Sequence, residues 1–245
     1  MAGELIGDRA SLPAPGRPWG RAGPTRQGRR GIPGNDKWEI DPPARVDTPP
    51  GQRWIRGFIR YSALPPPEVD IARYRLRVGG AVERSAEFSY GDLLGMVNFK
   101  GRLDFHCVTG WSVRGVEMEG VTFEALNSIV KPRGRYAFFT SLDGYTTIVP
   151  VEDYNRGILV LGMNGGPLTY EAGFPARPFF GDLYAWKSAK WLSRIDFMDE
   201  YIDGYWEERG YHERGNVWME ERFKGSGGKG RNRKPFKGRF TDRSS

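Results

Sequence analysis

Apolar and polar residues alternate in several stretches of the chain, with the period of two that a half-buried β-strand produces. The predicted strands, including one continuous apolar run at 158–163, lie at residues 73–78, 103–107, 136–142, 145–151, 158–163 and 191–198. In the second of these strands, Leu103, Phe105 and Cys107 share the apolar face. His106 belongs to the opposite face, so Cys107 is predicted to face away from its histidine neighbour.

Short helices are predicted between the strands from their capping residues. Ser89, followed three residues later by Asp92, forms a capping pattern, and Thr122 is placed to cap a helix over residues 123–130. The Asp143-Gly144 pair predicts a hairpin closed by a tight turn of the primed type. We find no internal repeat, and the prediction is an α+β fold, a mixed but β-rich single domain.

The amino-acid composition excludes several classes of protein. The 34 Gly and 18 Pro of the 245 residues disfavour a helical bundle. The longest apolar run, Ile158–Met163, is far shorter than the roughly 18 residues of a membrane helix, so we expect no membrane span. Cys107 is the only cysteine and the chain has 2 His, which excludes a Cys/His zinc site. The N-terminus lacks an apolar signal segment, and we expect a cytoplasmic protein.

The net charge of +7 is distributed unevenly and suggests two basic arms. Residues 1–60 carry a net +5, residues 61–223 a net −5 and residues 224–245 a net +7. We therefore predict a disordered Gly/Pro/Arg-rich arm at 1–50, one domain at 51–223 and a disordered basic Gly-rich tail at 224–245. Such arms favour weak, salt-sensitive contact with nucleic acid or an acidic surface, and a merely solubilising role is the alternative.

Two groups of residues offer candidate chemistry. Cys107 ends a predicted strand just before a glycine and a polar turn, where a thiol can meet a ligand, although composition alone favours an inert buried cysteine. Cations and a hydroxyl interleaved with aromatics form the second group, at Arg177, Lys187, Ser188, Lys190 and Arg194. They suit a phosphorylated ligand, but no glycine-rich loop accompanies them, and a solvated strand face is the alternative.

Several ordered motifs resemble the molybdopterin domain of the sulfite oxidase family. They are HCVTGWS at 106–112, DGY at 143–145, NGGPL at 164–168, GFPAR at 173–177 and KSAKWL at 187–192. FIRYSALP at 58–65 is similar to the family's N-terminal cofactor-contacting stretch, while GYWEERGYH at 204–212 and WMEERF at 218–223 resemble the small bacterial sulfite oxidase-like oxidoreductases. The resemblance extends from about residue 51 to residue 223.

The resemblance implies a molybdenum atom held by molybdopterin, with the Cys107 thiolate as the metal's protein ligand. The residues that it implies for binding the pterin and its phosphate are Arg60, Tyr61, Ser62, Thr140, Ser141, Arg177, Lys187, Ser188 and Lys190. Tyr145 takes the position of an active-site tyrosine that orients an oxyanion or relays a proton, with cross-strand packing as its alternative role. The implied reaction is oxygen-atom transfer on a small oxyanion or sulfoxide.

Three positions depart from the family pattern. Ala172 stands where relatives commonly carry a His or Asn that touches the cofactor, Met118 stands where a Trp is usual, and the residues after Cys107 lack the arginine pair of true sulfite oxidases. These departures leave an alternative to an active oxidoreductase, namely a catalytically degenerate relative that acts as a binding or assembly module through its basic arms.

The sequence also leads to expectations about the electron-transfer partner and the oligomeric state. The sequence contains neither a heme-attachment motif nor a dinucleotide fingerprint, so an external electron-transfer protein, a cytochrome or flavoprotein, is implied. Relatives dimerise through an additional domain that we do not recognise after residue 223, and we expect a monomer.

Overall fold

The structure, a computed structural model, describes residues 48–226. The arms predicted at 1–50 and 224–245 lie almost wholly outside the described residues, and the domain boundaries remain predictions. No helix within residues 48–226 is long and apolar enough to cross a membrane.

Strands dominate the described chain. In chain order they are β1 (Arg53–Trp54), β2 (Arg75–Gly80), β3 (Ala86–Ser89), β4 (Phe99–Cys107), β5 (Trp111–Thr122), β6 (Tyr136–Ser141), β7 (Thr146–Pro150), β8 (Ile158–Met163), β9 (Gly166–Pro167), β10 (Arg177–Phe179) and β11 (Leu192–Met198). The helices are α1 (Tyr90–Gly95), α2 (Phe123–Val130) and α3 (Val151–Tyr154). Single 3₁₀ turns at Tyr170–Ala172 and Ala185–Lys187 flank β10.

These strands form two sheets. The first runs in the order β1-β5-β8-β10, with β4 also paired to β5 and β9 to β8. The second runs in the order β3-β2-β11-β6-β7, and its central pair β2–β11 is parallel. The antiparallel β4–β5 ladder extends to the pair formed by Cys107 and Trp111, which places the cysteine at the end of the first sheet.

Strand β8 is buried on both faces, which explains its continuous apolar sequence. Leu159 and Leu161 belong to the main core, which also contains the buried residues of the second sheet. Ile158 and Val160 belong to a smaller core with Phe105 on the opposite side. The smaller core borders the cysteine, so β8 connects the main packing of the domain to the candidate site.

Both predicted helix caps are present. The Ser89 hydroxyl accepts a hydrogen bond from the Asp92 N–H at 3.1 Å, and the Asp92 carboxylate accepts one from the Ser89 N–H at 2.8 Å. The Thr122 hydroxyl accepts from the Ala125 N–H at 3.4 Å. Helix α2 ends at Val130, where the predicted helix also ends. Local capping chemistry therefore sets these helix boundaries.

The β6–β7 hairpin differs from the primed turn that its Asp-Gly pair predicts. Gly144 N–H donates to the Ser141 carbonyl at 3.1 Å, and Ser141 N–H donates to the Tyr145 carbonyl at 2.9 Å. Within this loop only Gly144 has a positive φ, +84°. The arrangement is a three-residue loop with a left-handed glycine, in which the Asp143 carboxylate accepts from the Tyr145 N–H at 3.0 Å.

Candidate active site

A cavity of about 360 Å³ opens beside the end of β4. Its lining includes eight of the eleven residues that the family resemblance implies for catalysis or cofactor binding. These are Arg60, Tyr61, Ser62, Cys107, Tyr145, Arg177, Ser188 and Lys190. Arg194, in contrast, lines a separate groove. The volume falls within the range of small-molecule sites, so thiol, cations and hydroxyls share one space large enough for a cofactor.

Cys107 lines the cavity while its neighbour His106 does not, in agreement with the strand alternation. The Cys107 sulfur lies 3.2 Å from the Thr109 hydroxyl oxygen. Burial raises the pKa of the Cys107 thiol, and Thr109 and Arg222 act in the opposite direction. A soft metal ion bound here would displace the thiol proton, because coordination deprotonates a cysteine outright.

His106 is buried behind the cysteine and belongs to the core. Its Nδ1 lies 2.8 Å from the Ser112 hydroxyl, which in turn donates to the Gln52 side-chain oxygen at 2.9 Å. Burial lowers the pKa of His106 to about 4, so the ring is neutral at physiological pH. Gln52 also donates to the Cys107 carbonyl at 3.2 Å, and this network therefore supports the cysteine backbone from behind.

Aromatic rings surround the cysteine on the cavity side. The Phe105 ring packs edge-on against Phe58 with centroids 4.9 Å apart and stacks on Trp111 at 5.7 Å. Trp206 and Tyr211 complete this part of the lining, with centroids 4.8 Å apart. The surroundings of the thiol are therefore apolar, which excludes water and strengthens electrostatic interactions inside the site.

Arg177 is buried with part of its hydrogen-bonding capacity free for a ligand. Its Nε donates to the Ser188 hydroxyl, and its two terminal nitrogens donate to the Ala172 and Ser188 carbonyls, each at 2.9 Å. Burial lowers its pKa to about 10, which leaves the guanidinium charged at neutral pH. Three of its five N–H groups thus have partners among the described residues, and two remain for an anion.

Lys190 joins the cavity to the chain segment at 60–62. Its Nζ donates to the Tyr61 carbonyl at 2.9 Å and to the Ser62 hydroxyl, and it makes a longer contact of 3.5 Å with the Glu171 carbonyl. Burial and the nearby Arg177 lower its pKa to about 8. The lysine therefore holds the N-terminal wall of the cavity in place and contributes a positive charge near neutral pH.

Tyr145 lines the cavity, but its hydroxyl is engaged. The Oη donates to the Trp186 carbonyl at 2.6 Å. Burial, with a smaller effect of Glu207, raises the Tyr145 pKa well above its ordinary value. A role in relaying a proton would require this hydrogen bond to break, and the geometry favours the packing role for the ring.

Lys187, Ser141 and Thr140 do not line the cavity. Lys187 is fully buried, and its Nζ donates to Glu207 Oε1 and to the backbone carbonyls of residues 148 and 213. Ser141 is also buried, while Thr140 lines a separate groove on the second sheet. Lys187 differs from Lys190 in that it is fully buried and does not line the cavity, so the structure places it in the interior rather than at the expected pterin contact.

Several residues that line the cavity were not predicted from the sequence to belong to the site. Asp143 and Glu171 place two carboxylates in the lining beside the cations. Ala172, in contrast, was singled out from the sequence as a departure at a cofactor-contacting position; it lines the cavity, and its carbonyl accepts from Arg177. Asp143 and Trp206 lie inside motifs of the family resemblance, and those motifs are the sequence signal that could have identified them. The sequence around Glu171 contains no such motif.

Comparison with known families settles the assignment of the domain. Residues 63–206 match the model of the oxidoreductase molybdopterin binding domain, which covers more than half of the chain. The chain belongs to this molybdopterin-binding oxidoreductase family. It is therefore a molybdenum-dependent oxidoreductase of the sulfite oxidase type, and the cofactor class predicted from the resemblance is confirmed.

Two proteins show sequence similarity to this family member. It is 37% identical over 180 residues to the uncharacterized oxidoreductase YuiH of Bacillus subtilis (strain 168), covering 71% of this chain and 91% of that protein. It is 28% identical over 149 residues to the putative protein-methionine-sulfoxide reductase subunit YedZ1 of Azospira oryzae, covering 59% of this chain and 56% of that protein. The chain thus spans nearly all of the first relative but little more than half of the second.

A solved structure shows the same fold. The sulfane dehydrogenase SoxCD from Paracoccus pantotrophus superposes with a TM-score of 0.52 at 22% identity, over 56% of this chain and 41% of that one. This likeness confirms the β-rich fold of the sulfite oxidase type that the sequence predicts.

The cavity fits the cofactor of this family. It offers one thiol to a soft metal and two N–H groups of Arg177 that have no partner within residues 48–226 to an anion, with the Lys190 ammonium on the same lining. Thiolate is a ligand type suited to a soft metal centre, and an arginine-lysine pair is suited to a phosphate. Metal ligand and phosphate ligands are thus available in one connected space.

Proposed function

We propose that this chain catalyses oxygen-atom transfer on a small oxyanion or sulfoxide, with the Cys107 thiolate as the protein ligand of molybdenum. Electrons pass to or from a separate redox protein. The observation that carries the proposal is the single cavity that contains the Cys107 thiol together with Arg177 and Lys190.

The cavity residues divide into three roles. Cys107 Sγ binds the metal, while Arg177 and Lys190 bind the phosphate of the pterin, and Ser188 orients Arg177 through two hydrogen bonds. Arg60, with the segment that Lys190 holds, closes the cavity from the N-terminal side. When bound, the cofactor supplies a metal that exchanges two electrons and an oxygen atom with the substrate.

Of the two substrate classes, the lining favours an uncharged sulfoxide. The rings around Cys107 are apolar, and burying an unpaired anion among them would be costly. The cations of the lining are Arg60, Arg177 and Lys190, and the cofactor phosphate occupies the last two. Two carboxylates share the lining with them, so little positive charge remains for an oxyanion such as sulfite.

The reaction of a sulfoxide is a reduction. The S=O bond breaks, two electrons and two protons are taken up, and a thioether and water are released. An external electron-transfer protein supplies the electrons. The name of the Azospira relative, a putative protein-methionine-sulfoxide reductase subunit, supports this direction of transfer.

Cofactor content tests the proposal. The full chain, produced in a host that makes molybdenum cofactor, is expected to contain about one molybdenum and one pterin per chain by metal analysis and pterin fluorescence. Cys107→Ser should fold but lose the thiolate-to-metal absorption, and Arg177→Met should lose pterin. Arg77→Met, on the exposed face of the second sheet, serves as the matched control. Folded wild-type chain without molybdenum and pterin would contradict the proposal.

Steady-state assays of the loaded enzyme test the substrate class. We expect reduction of an uncharged sulfoxide such as dimethyl sulfoxide with reduced viologen as electron donor, and a much lower kcat/KM for sulfite with ferricyanide as acceptor. Faster sulfite oxidation would favour the oxyanion alternative. Sustained turnover without any added donor or acceptor would contradict the external redox partner, and no turnover in either direction would favour the binding-module alternative.

A further inference from the structure

Arg222 connects the residue after Cys107 to the beginning of the described chain. Its guanidinium donates to the Val108 carbonyl and to the Gly51 carbonyl, the latter at 3.1 Å. It also lies over the Tyr184 ring, 5.0 Å from the centroid. The side chain is only 13% exposed, so these contacts are largely shielded from water. Arg222 lies beyond the 63–206 match that defines the family.

Gly51 lies against both Arg222 and Glu220. It has a φ of +67°, and a Cβ there would lie 2.6 Å from Glu220 Oε1 and 2.7 Å from Arg222 Nη2. Glycine therefore allows the close approach of backbone and guanidinium. Because Gln52 donates to the Cys107 carbonyl, the carbonyls of residues 107 and 108 are both held by donors from distant parts of the chain.

Two further contacts orient the Arg222 guanidinium. Its Nη2 also donates to the Pro50 carbonyl at 3.3 Å, and its Nε lies 3.5 Å from Glu220 Oε1. A carboxylate and three backbone carbonyls, from two segments of the chain, therefore hold the guanidinium beside the residue that follows Cys107.

We propose that Arg222 is a positioning residue of the molybdenum site, which fixes the backbone beside Cys107 from the C-terminal part of the described chain. The inference rests on the proposed role of Cys107 as the metal ligand.

Two substitutions test the contacts of the guanidinium. Arg222→Met removes all of its hydrogen bonds, whereas Arg222→Lys keeps one donor group but lacks the planar fork that contacts two carbonyls at once. Arg77→Met is the control, since the Arg77 side chain is 62% exposed and lies in β2 of the second sheet, distant in sequence from Arg222. The lysine variant also keeps the test open if the methionine variant folds poorly.

The effect on the metal site is tested in full-length protein loaded with cofactor. Without its anchor at Val108 the backbone beside Cys107 is held less tightly, so Arg222→Met should shift or broaden the thiolate-to-molybdenum absorption band. Arg222→Lys should lie between Arg222→Met and wild type, and Arg77→Met should match wild type. A loaded Arg222→Met protein with the wild-type band would overturn the role at the metal site.

The backbone contact is tested in full-length protein produced without cofactor. Hydrogen–deuterium exchange at residues 108–110 should be faster by about tenfold or more in both Arg222 variants, because charged hydrogen bonds are lost. The Arg77→Met control should match wild type. Unchanged exchange in both Arg222 variants would overturn the positioning role. If the wild-type chain never acquires molybdenum, the proposed function fails, while this exchange result still decides whether Arg222 anchors the loop.

Discussion

The buried pair of Lys187 and Glu207 makes a quantitative prediction about stability. Both side chains are fully buried and form an ion pair. Glu207 Oε1 also accepts from the Thr147 hydroxyl at 2.9 Å and from the Trp186 indole N–H at 3.1 Å. Burial lowers the pKa of Lys187, and Glu207 opposes this effect. Removing one partner therefore leaves the other as an unpaired charge in the protein interior.

The expected magnitude follows from that geometry. Loss of one member of a buried, hydrogen-bonded ion pair costs about 3–5 kcal/mol of unfolding free energy. For a domain of this size each kcal/mol corresponds to roughly 2–4 °C in Tm. Lys187→Met and Glu207→Gln should therefore each lower Tm by about 6–20 °C. The double variant buries no charge, so its destabilisation should be well below the sum of the single effects.

Urea unfolding of the wild type, both single variants and the double variant measures this coupling. Arg77→Met serves as the control, because its ion pair with Glu87 is exposed and should contribute less than about 1 kcal/mol. Strictly additive effects in the cycle would refute the reasoning. So would a stable Lys187→Met protein that has lost pterin, since that result would return Lys187 to the cofactor site.

Three further predictions concern the cavity and the fold. Burial and Arg177 lower the Lys190 pKa to about 8, so inorganic phosphate should bind the cofactor-free chain more weakly as the pH rises through about 8. Calorimetry on Lys190→Gln should show a lower phosphate affinity that no longer changes over this pH range. A pH dependence that persists in Lys190→Gln would contradict the assignment. Gly120→Ala would place a Cβ 2.0 Å from the Leu159 carbonyl oxygen, and it should lower the free energy of unfolding by about 3 kcal/mol. An unchanged midpoint of urea unfolding would contradict this. Thr122→Ala should cost about 1 kcal/mol and Thr122→Ser little, and equal losses would argue against the cap.

Features set by neighbouring residues were predictable from the sequence. The caps at Ser89 and Thr122 depend on side chains within three residues of the backbone they bond. The alternation that separates Cys107 from His106 likewise follows from strand geometry. The site residues came from another source, because the motif resemblance grouped Cys107, Arg177 and Lys190 where spacing alone left their roles open.

Features set by distant contacts were not predictable. Lys187 adjoins a cavity residue in sequence, but its partner Glu207 is 20 residues away and draws the side chain into the interior. Thr140 and Ser141 are neighbours on β6, yet neither faces the cavity. Arg222 reaches the Val108 carbonyl across 114 residues, a contact that no periodicity encodes.

The two-faced burial of β8 has a consequence for unfolding. Alternate side chains of this one strand complete two separate cores, so neither core keeps its packing if the strand detaches. The region around the cysteine should therefore melt together with the rest of the domain in one cooperative transition. A ligand that binds this region only in the native state will then protect the whole domain against heat, including parts it never touches.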